Sequence, residues 1–181
     1  MTHTKPSRRP AISIIIPTLN EAESIATTMK SAQAGTGVEI IVADGKSSDG
    51  TGDMAKGLGA KLLPITGGRA QQVNGGAMAA SSDVLLFLHG DTRLPAGFDK
   101  YVRNILTVPG TVAGAFALGI DGPEIGLRII EKLANFRSRF FQMPYGDQAI
   151  FLRASLFRSI GGFPEIPIME DFVFMQRIKK E

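Results

Sequence analysis

The residues best suited to chemistry follow a short apolar run. Residues 84–88 read VLLFL, a composition that suits a buried strand, and the run stops at His89, Gly90 and Asp91. A carboxylate and an imidazole at the end of such a strand could hold a divalent cation and, through it, a pyrophosphate. A structural alternative stays open here, because many strands of α/β proteins end in an aspartate that caps the following helix.

Three other apolar runs give way to polar residues in the same manner. Residues 12–20 read ISIIIPTLN, residues 38–51 read VEIIVADGKSSDGT and residues 168–171 read IMED. Ligands of an open parallel sheet bind beyond the carboxyl ends of its strands, where loops converge and helix N-termini present free N–H groups. We therefore expect the polar residues that follow the strands to share one edge of a sheet.

The spacing of the apolar runs predicts the elements that would position these residues. Strand candidates cover 12–16, 38–43, 60–65 and 84–88, and a segment of helical character follows each of them. This alternation is typical of βαβ units. The chain is therefore predicted to be an α/β protein with a largely parallel, twisted, Rossmann-like sheet flanked by helices.

Local signals give first bounds for the helices. Asn20, with Glu23 three residues later, has the spacing of a capping box, and Gly35 predicts the end of that helix. Residues 50–59 carry four glycines, which predicts a short helix at that position. Asp49 is interpreted as its cap.

Beyond residue 110 the pattern changes. Residues 111–120 are small and apolar and predict a strand, which a turn at residues 121–123 ends. Residues 124–141 repeat apolar side chains at three- and four-residue spacings, with basic side chains on the other faces. Two interpretations of this helix stay open: packing on the domain with its cations in solvent, or contact with a membrane surface or an anionic lipid-linked acceptor.

Length and composition limit the classes of protein. The 181 residues predict one domain, and 44% apolar with 20% charged residues is typical of a soluble globular protein. The net charge of +3 is too small to indicate a nucleic-acid partner. The absence of cysteine excludes thiolate chemistry and is compatible with a reducing cytosol. We expect a cytoplasmic protein with a disordered lead-in at residues 1–10 and a folded domain over 12–181.

Two nucleotide-binding motifs are excluded. Gly45, Lys46 and Ser47 resemble the tail of a phosphate-binding loop, but Ile40 occupies the position where that motif requires its leading glycine. No Gly-x-Gly-x-x-Gly follows a strand either. A dinucleotide-dependent dehydrogenase is therefore disfavoured.

The order of the polar motifs resembles glycosyltransferase family 2, whose single-domain, nucleotide-sugar-binding fold is called GT-A. In chain order the motifs read PTLNE, ADGKSSDGT, GGRAQQVNGG, FLHGDTRLP, GDQAIF, GGF and MED, and they extend over residues 12–178. Within the family, HGDTR followed by PYGDQ is similar to a small bacterial subgroup assigned to arsenosugar biosynthesis. Members usually continue beyond the position of Glu181, so the resemblance implies that part of the C-terminal side is missing.

The resemblance implies a nucleotide-binding role for residues that follow the first four strands. Asp44 matches the carboxylate that reads uracil, and Arg69 matches a basic position near the nucleotide. His89 and Asp91 match the Asp-x-Asp metal motif, with Asp91 as the ligand of Mn²⁺ or Mg²⁺. The residues that match the lining of the nucleoside pocket are Pro17, Thr18 and Glu21.

The same resemblance implies residues on the acceptor side. Asp171 matches the general base, and Glu170 beside it points about 100° away on a helix, so one carboxylate faces the acceptor and the other binds or orients. Asp147 and Gln148 are interpreted as part of the acceptor pocket, with a purely structural turn as the alternative. His89 replaces the first aspartate of the metal motif and removes a negative charge, which puts the metal affinity in question.

We therefore expect an inverting glycosyltransferase that moves a sugar from a nucleoside diphosphate, UDP in first place, to a hydroxyl acceptor with the help of a divalent cation. Two alternatives stay open. One is a sugar-phosphate nucleotidyltransferase on a related fold, whose Gly-rich N-terminal signature is replaced here by PTLNE. The other is a non-catalytic nucleotide-sugar-binding protein, which His89 at the metal motif keeps open.

Overall fold

One six-stranded sheet forms the centre of the fold. The computed structural model describes residues 12–181, so the predicted lead-in at residues 1–10 lies outside the described residues. The strands are β1 (Ile12–Thr18), β2 (Val38–Asp44), β3 (Lys61–Pro64), β4 (Val84–Phe87), β5 (Ala113–Gly114) and β6 (Phe151–Arg153). Their order in the sheet is β3-β2-β1-β4-β6-β5. Only β6 runs antiparallel to its neighbours, so the predicted α/β class with a largely parallel sheet is confirmed.

Helices cover both faces of this sheet. Within residues 12–181 they are α1 (Ile25–Gln33), α2 (Thr51–Gly57), α3 (Arg69–Met78), α4 (Phe98–Ile105), α5 (Ile125–Phe141), α6 (Ala154–Ser159) and α7 (Glu170–Ile178). A single 3-10 turn, Gly146–Gln148, precedes β6.

Alternation along the strands divides the core between the two faces. In β1, Ile14 and Ile16 pack with α1 and α4, whereas Ile15 between them packs with α3. In β4, Leu86 and Phe87 divide in the same way. Successive side chains of a strand point to opposite faces, so a sheet covered on both sides needs continuous apolar strands. This requirement explains why the strands were readable as unbroken apolar runs.

The first helix begins later than predicted. α1 starts at Ile25 with Ser24 at the capping position, so the prediction of Asn20 as N-cap is wrong. Asn20 adopts a positive φ of 58°, and its side-chain oxygen accepts the N–H of Ser48 at 2.9 Å. The asparagine thus joins the loop after β1 to the loop after β2. The end of α1 just before Gly35 and the seven-residue length of α2 are as predicted.

The predicted strand at residues 111–120 is mostly irregular. Ala113 and Gly114 alone pair with β6. Further on, the Phe116 N–H donates to the carbonyl of Gln148 at 2.7 Å, so the chain follows the 3-10 turn and not a strand. The predicted strand was too long. The composition of residues 111–120 suits a strand, but it cannot indicate that β6, the strand with which they pair, is only three residues long.

The long amphipathic helix forms as predicted, but it does not pack as a core helix. None of its residues is buried, and most of its large apolar side chains are exposed. The structure therefore contradicts the interpretation in which α5 buries its apolar face on the domain. No helix in the described part of the chain is long and apolar enough to cross a membrane.

An aromatic cluster fixes α7 against the sheet. The rings of Phe163 and Phe174 stack with centroids 3.9 Å apart, and Phe87 of β4 meets Phe163 edge-on at 5.1 Å. Phe174 is fully buried. Offset stacks and edge-to-face contacts of this kind stabilise a cluster beyond the area they bury. The cluster sets the N-terminus of α7, with Glu170 and Asp171, near the carboxyl end of β4.

We predict that Phe174→Ala lowers the free energy of unfolding by about 3–5 kcal/mol, because it leaves a cavity in the aromatic cluster. Urea unfolding followed by circular dichroism measures this loss. Phe140→Ala is the matched control: Phe140 is exposed on α5, so its removal should change stability by less than about 0.5 kcal/mol. Equal losses in the two variants would contradict the anchoring role of the cluster.

Candidate active site

A cleft opens at the carboxyl ends of β1 and β4. Its outer part encloses about 240 Å³ and continues into a deeper, narrower part that reaches the start of α7. Three residues, Pro17, Arg69 and His89, line both parts. The sequence-predicted residues that the two parts bring together are Pro17, Thr18, Glu21, Arg69, His89, Asp91, Glu170 and Asp171.

The wall formed by β1 and β2 is fixed by a buried hydrogen-bond network. The parallel register places Thr18 beside Asp44, and the Thr18 hydroxyl donates to the Asp44 carboxylate at 3.0 Å. The Ser47 N–H donates to the other oxygen of Asp44 at 2.9 Å. Gln72 of α3 donates to the Thr18 carbonyl at 3.0 Å. Asp44 is therefore held behind the cleft wall, and Gln72 is a positioning residue that sequence reasoning missed.

The loop after β1 is tied to the loop after β2 by side chains. The Glu21 N–H donates to the Thr51 hydroxyl at 2.8 Å, and the Ala22 N–H donates to Asp49 at 2.9 Å. The second oxygen of Asp49 accepts from the Thr51 N–H at 3.0 Å, but the N-cap position of α2 belongs to Gly50, so the prediction of Asp49 as the cap is wrong by one residue. These hydrogen bonds, that of the Thr51 side chain first, lower the pKa of Asp49. The Glu21 side chain lies against Gly90, where an added Cβ would approach Glu21 Cγ to 2.9 Å.

Arg69, the first residue of α3, joins the two parts of the cleft. Its guanidinium contacts the His89 ring, and its Nε lies 3.5 Å from Glu170 Oε1. Burial, followed by the positive charge of Arg69, lowers the pKa of His89 to about 4, although Asp91 and Asp171 oppose the shift. The imidazole is therefore neutral near pH 7 and accepts a hydrogen bond from the guanidinium.

Asp171 is oriented by backbone N–H groups. The Gly146 N–H donates to Asp171 Oδ2 at 3.0 Å, and the Phe172 N–H donates to Oδ1 at 2.8 Å. Gly146 also comes so close to the cleft that an added Cβ would lie 2.6 Å from His89 Nε2 and 2.8 Å from Arg69 Nη2. A larger residue would force the ends of both side chains to shift, so glycine fits this position best.

Asp147 and Gln148, the last two residues of PYGDQ, do not line the cleft. Gln148 is buried and donates to the Phe116 carbonyl at 3.2 Å and to Asn135 at 3.3 Å, so its amide stabilises the 3-10 turn. Asp147 is partly buried, and one of its oxygens makes no hydrogen bond with any residue of the described chain. Burial raises the pKa of Asp147, and the nearby charge of Asp171 adds to the rise while Arg137 opposes it. Neither residue lines the two parts of the cleft.

The comparisons with known proteins agree with this arrangement. Residues 13–158 match the profile of the family described as glycosyl transferase family 2. The chain belongs to this family. An uncharacterized glycosyltransferase of Mycobacterium tuberculosis is 30% identical over 166 residues, which are 85% of this chain and 63% of the relative. The 4,4'-diaponeurosporenoate glycosyltransferase of Staphylococcus haemolyticus is 34% identical over 93 residues, or 46% of this chain and 25% of that protein.

Solved structures show the same fold. S. aureus TarS, residues 1–349, superposes with a TM-score of 0.71 at 20% identity and covers 92% of this chain and 54% of that chain. A mannosyltransferase of Pyrobaculum calidifontis in complex with GDP-Man and Mn²⁺ gives 0.66 at 19% identity, over 94% and 52% of the two chains. This family 2 glycosyltransferase therefore has the GT-A fold, and it spans less than two thirds of the curated relatives that it matches.

The chain has no preformed metal cage in its described part. Within residues 12–181 no three His, Asp or Glu side chains are grouped so that they could hold a metal ion. Asp91 is exposed on the cleft wall, and its carboxylate accepts the Thr92 hydroxyl at 3.2 Å. Mg²⁺ and Mn²⁺ favour oxygen ligands, and Mg²⁺ at phosphate sites uses one or two carboxylates with the phosphates themselves. The donor set fits a cation that is shared with a bound diphosphate.

We predict that the His89 imidazole titrates with a pKa of about 4, because it is buried beside a cation. NMR of a His3→Gln variant measures it directly, since His3 is the other histidine of the chain. Arg69→Gln should raise this pKa, whereas Arg93→Gln, which removes an arginine paired with Asp121, should not. A His89 pKa near 6.5 in the parent protein would contradict the contact.

The same pKa predicts how stability depends on pH. Because the unfolded chain binds the proton at a higher pH than the folded protein does, the free energy of unfolding should fall as the pH drops from 6.5 towards 4.

Proposed function

We propose that the protein transfers a sugar from a nucleoside diphosphate, UDP in first place, to a hydroxyl acceptor with inversion at the anomeric carbon. The observation that carries the proposal is the meeting of two kinds of group around one cleft: Arg69 and His89 line both of its parts, Asp91 lines the outer part and Asp171 lines the deeper part. Groups that favour an anion therefore lie next to a group that can take a proton.

The outer part suits a leaving diphosphate. α3 begins at Arg69, and no side chain caps its first N–H groups, so its N-terminus adds partial positive charge to that of the guanidinium. The neutral imidazole of His89 can donate or accept a hydrogen bond, but it carries no charge that would attract or repel the diphosphate. Charge that develops on the diphosphate as the glycosidic bond breaks is stabilised best by such preorganised donors. When bound, a divalent cation held by Asp91 supplies further neutralisation of that charge.

The deeper part holds the base: it encloses only about 20 Å³, so an acceptor would bring no more than its hydroxyl group into it. The acceptor oxygen would attack the anomeric carbon from the side opposite the diphosphate, so that the new bond forms as the bond to the diphosphate breaks. The acceptor proton would pass to Asp171, whose orientation is set by the Gly146 N–H. A positioned general base contributes about 10²- to 10⁴-fold to the rate. Pro17, Thr18 and Glu21 would line the nucleoside. Asp44 supports this wall through Thr18, so its proposed uracil-reading role would require the carboxylate to become exposed when the nucleotide binds.

The product separates the proposed reaction from its two rivals. Free UDP is released by sugar transfer, whereas a nucleotidyltransferase releases pyrophosphate from a nucleoside triphosphate. A binding protein would take up UDP and release nothing. The assignment to arsenosugar biosynthesis, a cytoplasmic location and the identity of sugar and acceptor remain predictions that a screen of UDP-sugars with hydroxyl acceptors can address.

We predict that Asp171→Asn lowers the rate of UDP release in the presence of acceptor by about 10²- to 10⁴-fold, because an amide cannot take the acceptor proton. The affinity for UDP, measured by isothermal titration, should stay within a factor of about two, since Asp171 lies in the acceptor part. Asp53→Asn, on the exposed surface of α2, is the control and should keep full activity. Unchanged turnover in Asp171→Asn would remove the proposed base.

We predict that EDTA and Asp91→Asn each weaken the stabilisation of the protein by UDP. At a UDP concentration of about 100 times Kd, binding stabilises the folded state by about 2.7 kcal/mol, which appears as a rise in Tm. Asp121→Asn alters another exposed carboxylate and should keep the rise. A rise in Tm that is insensitive to EDTA would assign diphosphate binding to Arg69 and the start of α3 without a cation.

A further inference from the structure

The apolar face of α5 points away from the domain, whereas that of an ordinary surface helix packs against it. Five large apolar side chains form a single stripe along it and point away from the domain, with Ile125 80% and Phe140 73% exposed. The members of this outer stripe are Ile125, Ile129, Leu133, Phe136 and Phe140. Contiguous exposed apolar surface of this kind marks an interaction site in a soluble protein.

Polar side chains attach α5 to the domain. Asn135 accepts the Leu118 N–H at 2.8 Å and donates to the Leu118 carbonyl at 3.0 Å. Glu131 accepts the Ile120 N–H, and Arg128 donates to the Ile120 carbonyl. These directional contacts fix the rotation of the helix about its axis. The outward direction of the stripe is therefore a feature of the fold and not of a loosely attached segment.

Cations, without carboxylates, flank the outer stripe. At about 100° per residue, Lys132 and Arg139 lie beside the stripe on one flank, and Arg137 lies on the other. Glu131, the one carboxylate of α5, faces the domain. Lys179 donates to the Phe141 carbonyl and adds a further cation at the C-terminal end of α5. The outward surface is apolar along its centre and positive on the flank of Lys132 and Arg139, whereas on the flank of Arg137 it continues into the exposed side chains of Ile130 and Phe141.

We propose that the outer stripe of α5 docks onto the surface of an anionic lipid bilayer. A helix with this pattern lies in the interface, with its apolar side chains about 5–10 Å into the headgroup and acyl boundary and its cations on the lipid phosphates. A second copy of the chain fits less well. In a symmetric, antiparallel contact of two stripes, the Lys132 side chains of the two copies would lie beside each other near the two-fold axis, and α5 offers no carboxylate on that surface to oppose them.

The docked helix would lie next to the acceptor part of the cleft. The Arg137 guanidinium stacks over the Tyr145 ring at 3.4 Å from its centroid, and Tyr145 precedes Gly146, whose N–H holds Asp171. A bilayer below α5 would therefore border the place where an acceptor hydroxyl enters. The docking itself does not depend on the transfer reaction, so a failure of either proposal can be recognised separately.

A tryptophan placed in the stripe tests the proposal, because the chain contains none. In Phe140→Trp, vesicles of equal parts phosphatidylcholine and phosphatidylglycerol should shift the emission to the blue, and brominated acyl chains should quench it. Met78→Trp is the control: Met78 is 87% exposed at the end of α3, outside the stripe, and its tryptophan should stay in water. Emission of Phe140→Trp that ignores vesicles overturns the proposal.

A vesicle co-sedimentation assay separates the electrostatic contribution to bilayer binding from the apolar one. It compares variants of the flanking cations with a variant of the outer stripe. Lys132→Gln and Arg139→Gln should each lower the partition coefficient by about fivefold on anionic vesicles and leave it unchanged on pure phosphatidylcholine. Leu133→Gln should abolish binding while the Tm stays the same or rises, because Leu133 is exposed. A dimer of the parent protein in sedimentation equilibrium that Leu133→Gln dissociates would assign the stripe to a second copy and overturn the bilayer.

Discussion

One guanidinium joins the elements on which the site depends. Arg69 opens α3, contacts the ring of His89 after β4 and lies 3.5 Å from Glu170 at the start of α7. Gly146 closes the same cluster from the side, and a side chain at this position would crowd the ends of both His89 and Arg69. Burial and the charge of Arg69 keep the imidazole neutral near pH 7, and the cluster holds together the start of α3, the end of β4 and the start of α7.

The fold and the edge of the sheet that carries the site were predictable from the sequence because they follow from burial and chain direction. A sheet that is covered on both faces needs unbroken apolar strands, so β1, β2 and β4 were recognisable by composition. Parallel strands in register must end together. The register of Thr18 with Asp44 is an instance of this rule, and it explains why the polar residues that follow separate strands meet.

The positions that sequence reasoning missed depend on contacts between elements far apart in the chain. Asn20 has the residue type of a helix cap, yet its side chain joins the loop after β2, and nothing within its own loop could indicate that choice. Gln72 and Gly146 act on the backbone of Thr18 and on the side chain of Asp171, and neither contact has a local signature. The direction in which α5 faces likewise depends on contacts with another part of the chain. Periodicity gives the width of an apolar stripe, whereas the contacts of Asn135 with Leu118 decide where it points.

The ion pair at the centre of the cluster is weak enough to be exchanged. The Arg69 side chain is 42% exposed, and a pair with that exposure contributes at most about 1 kcal/mol. A diphosphate offers the guanidinium more charge and a bidentate geometry, so donor binding would draw Arg69 away from Glu170. The Glu170 carboxylate, nearly buried beside Asp171, would then need a new hydrogen-bond donor. Under the proposed function, an acceptor hydroxyl could supply that hydrogen bond.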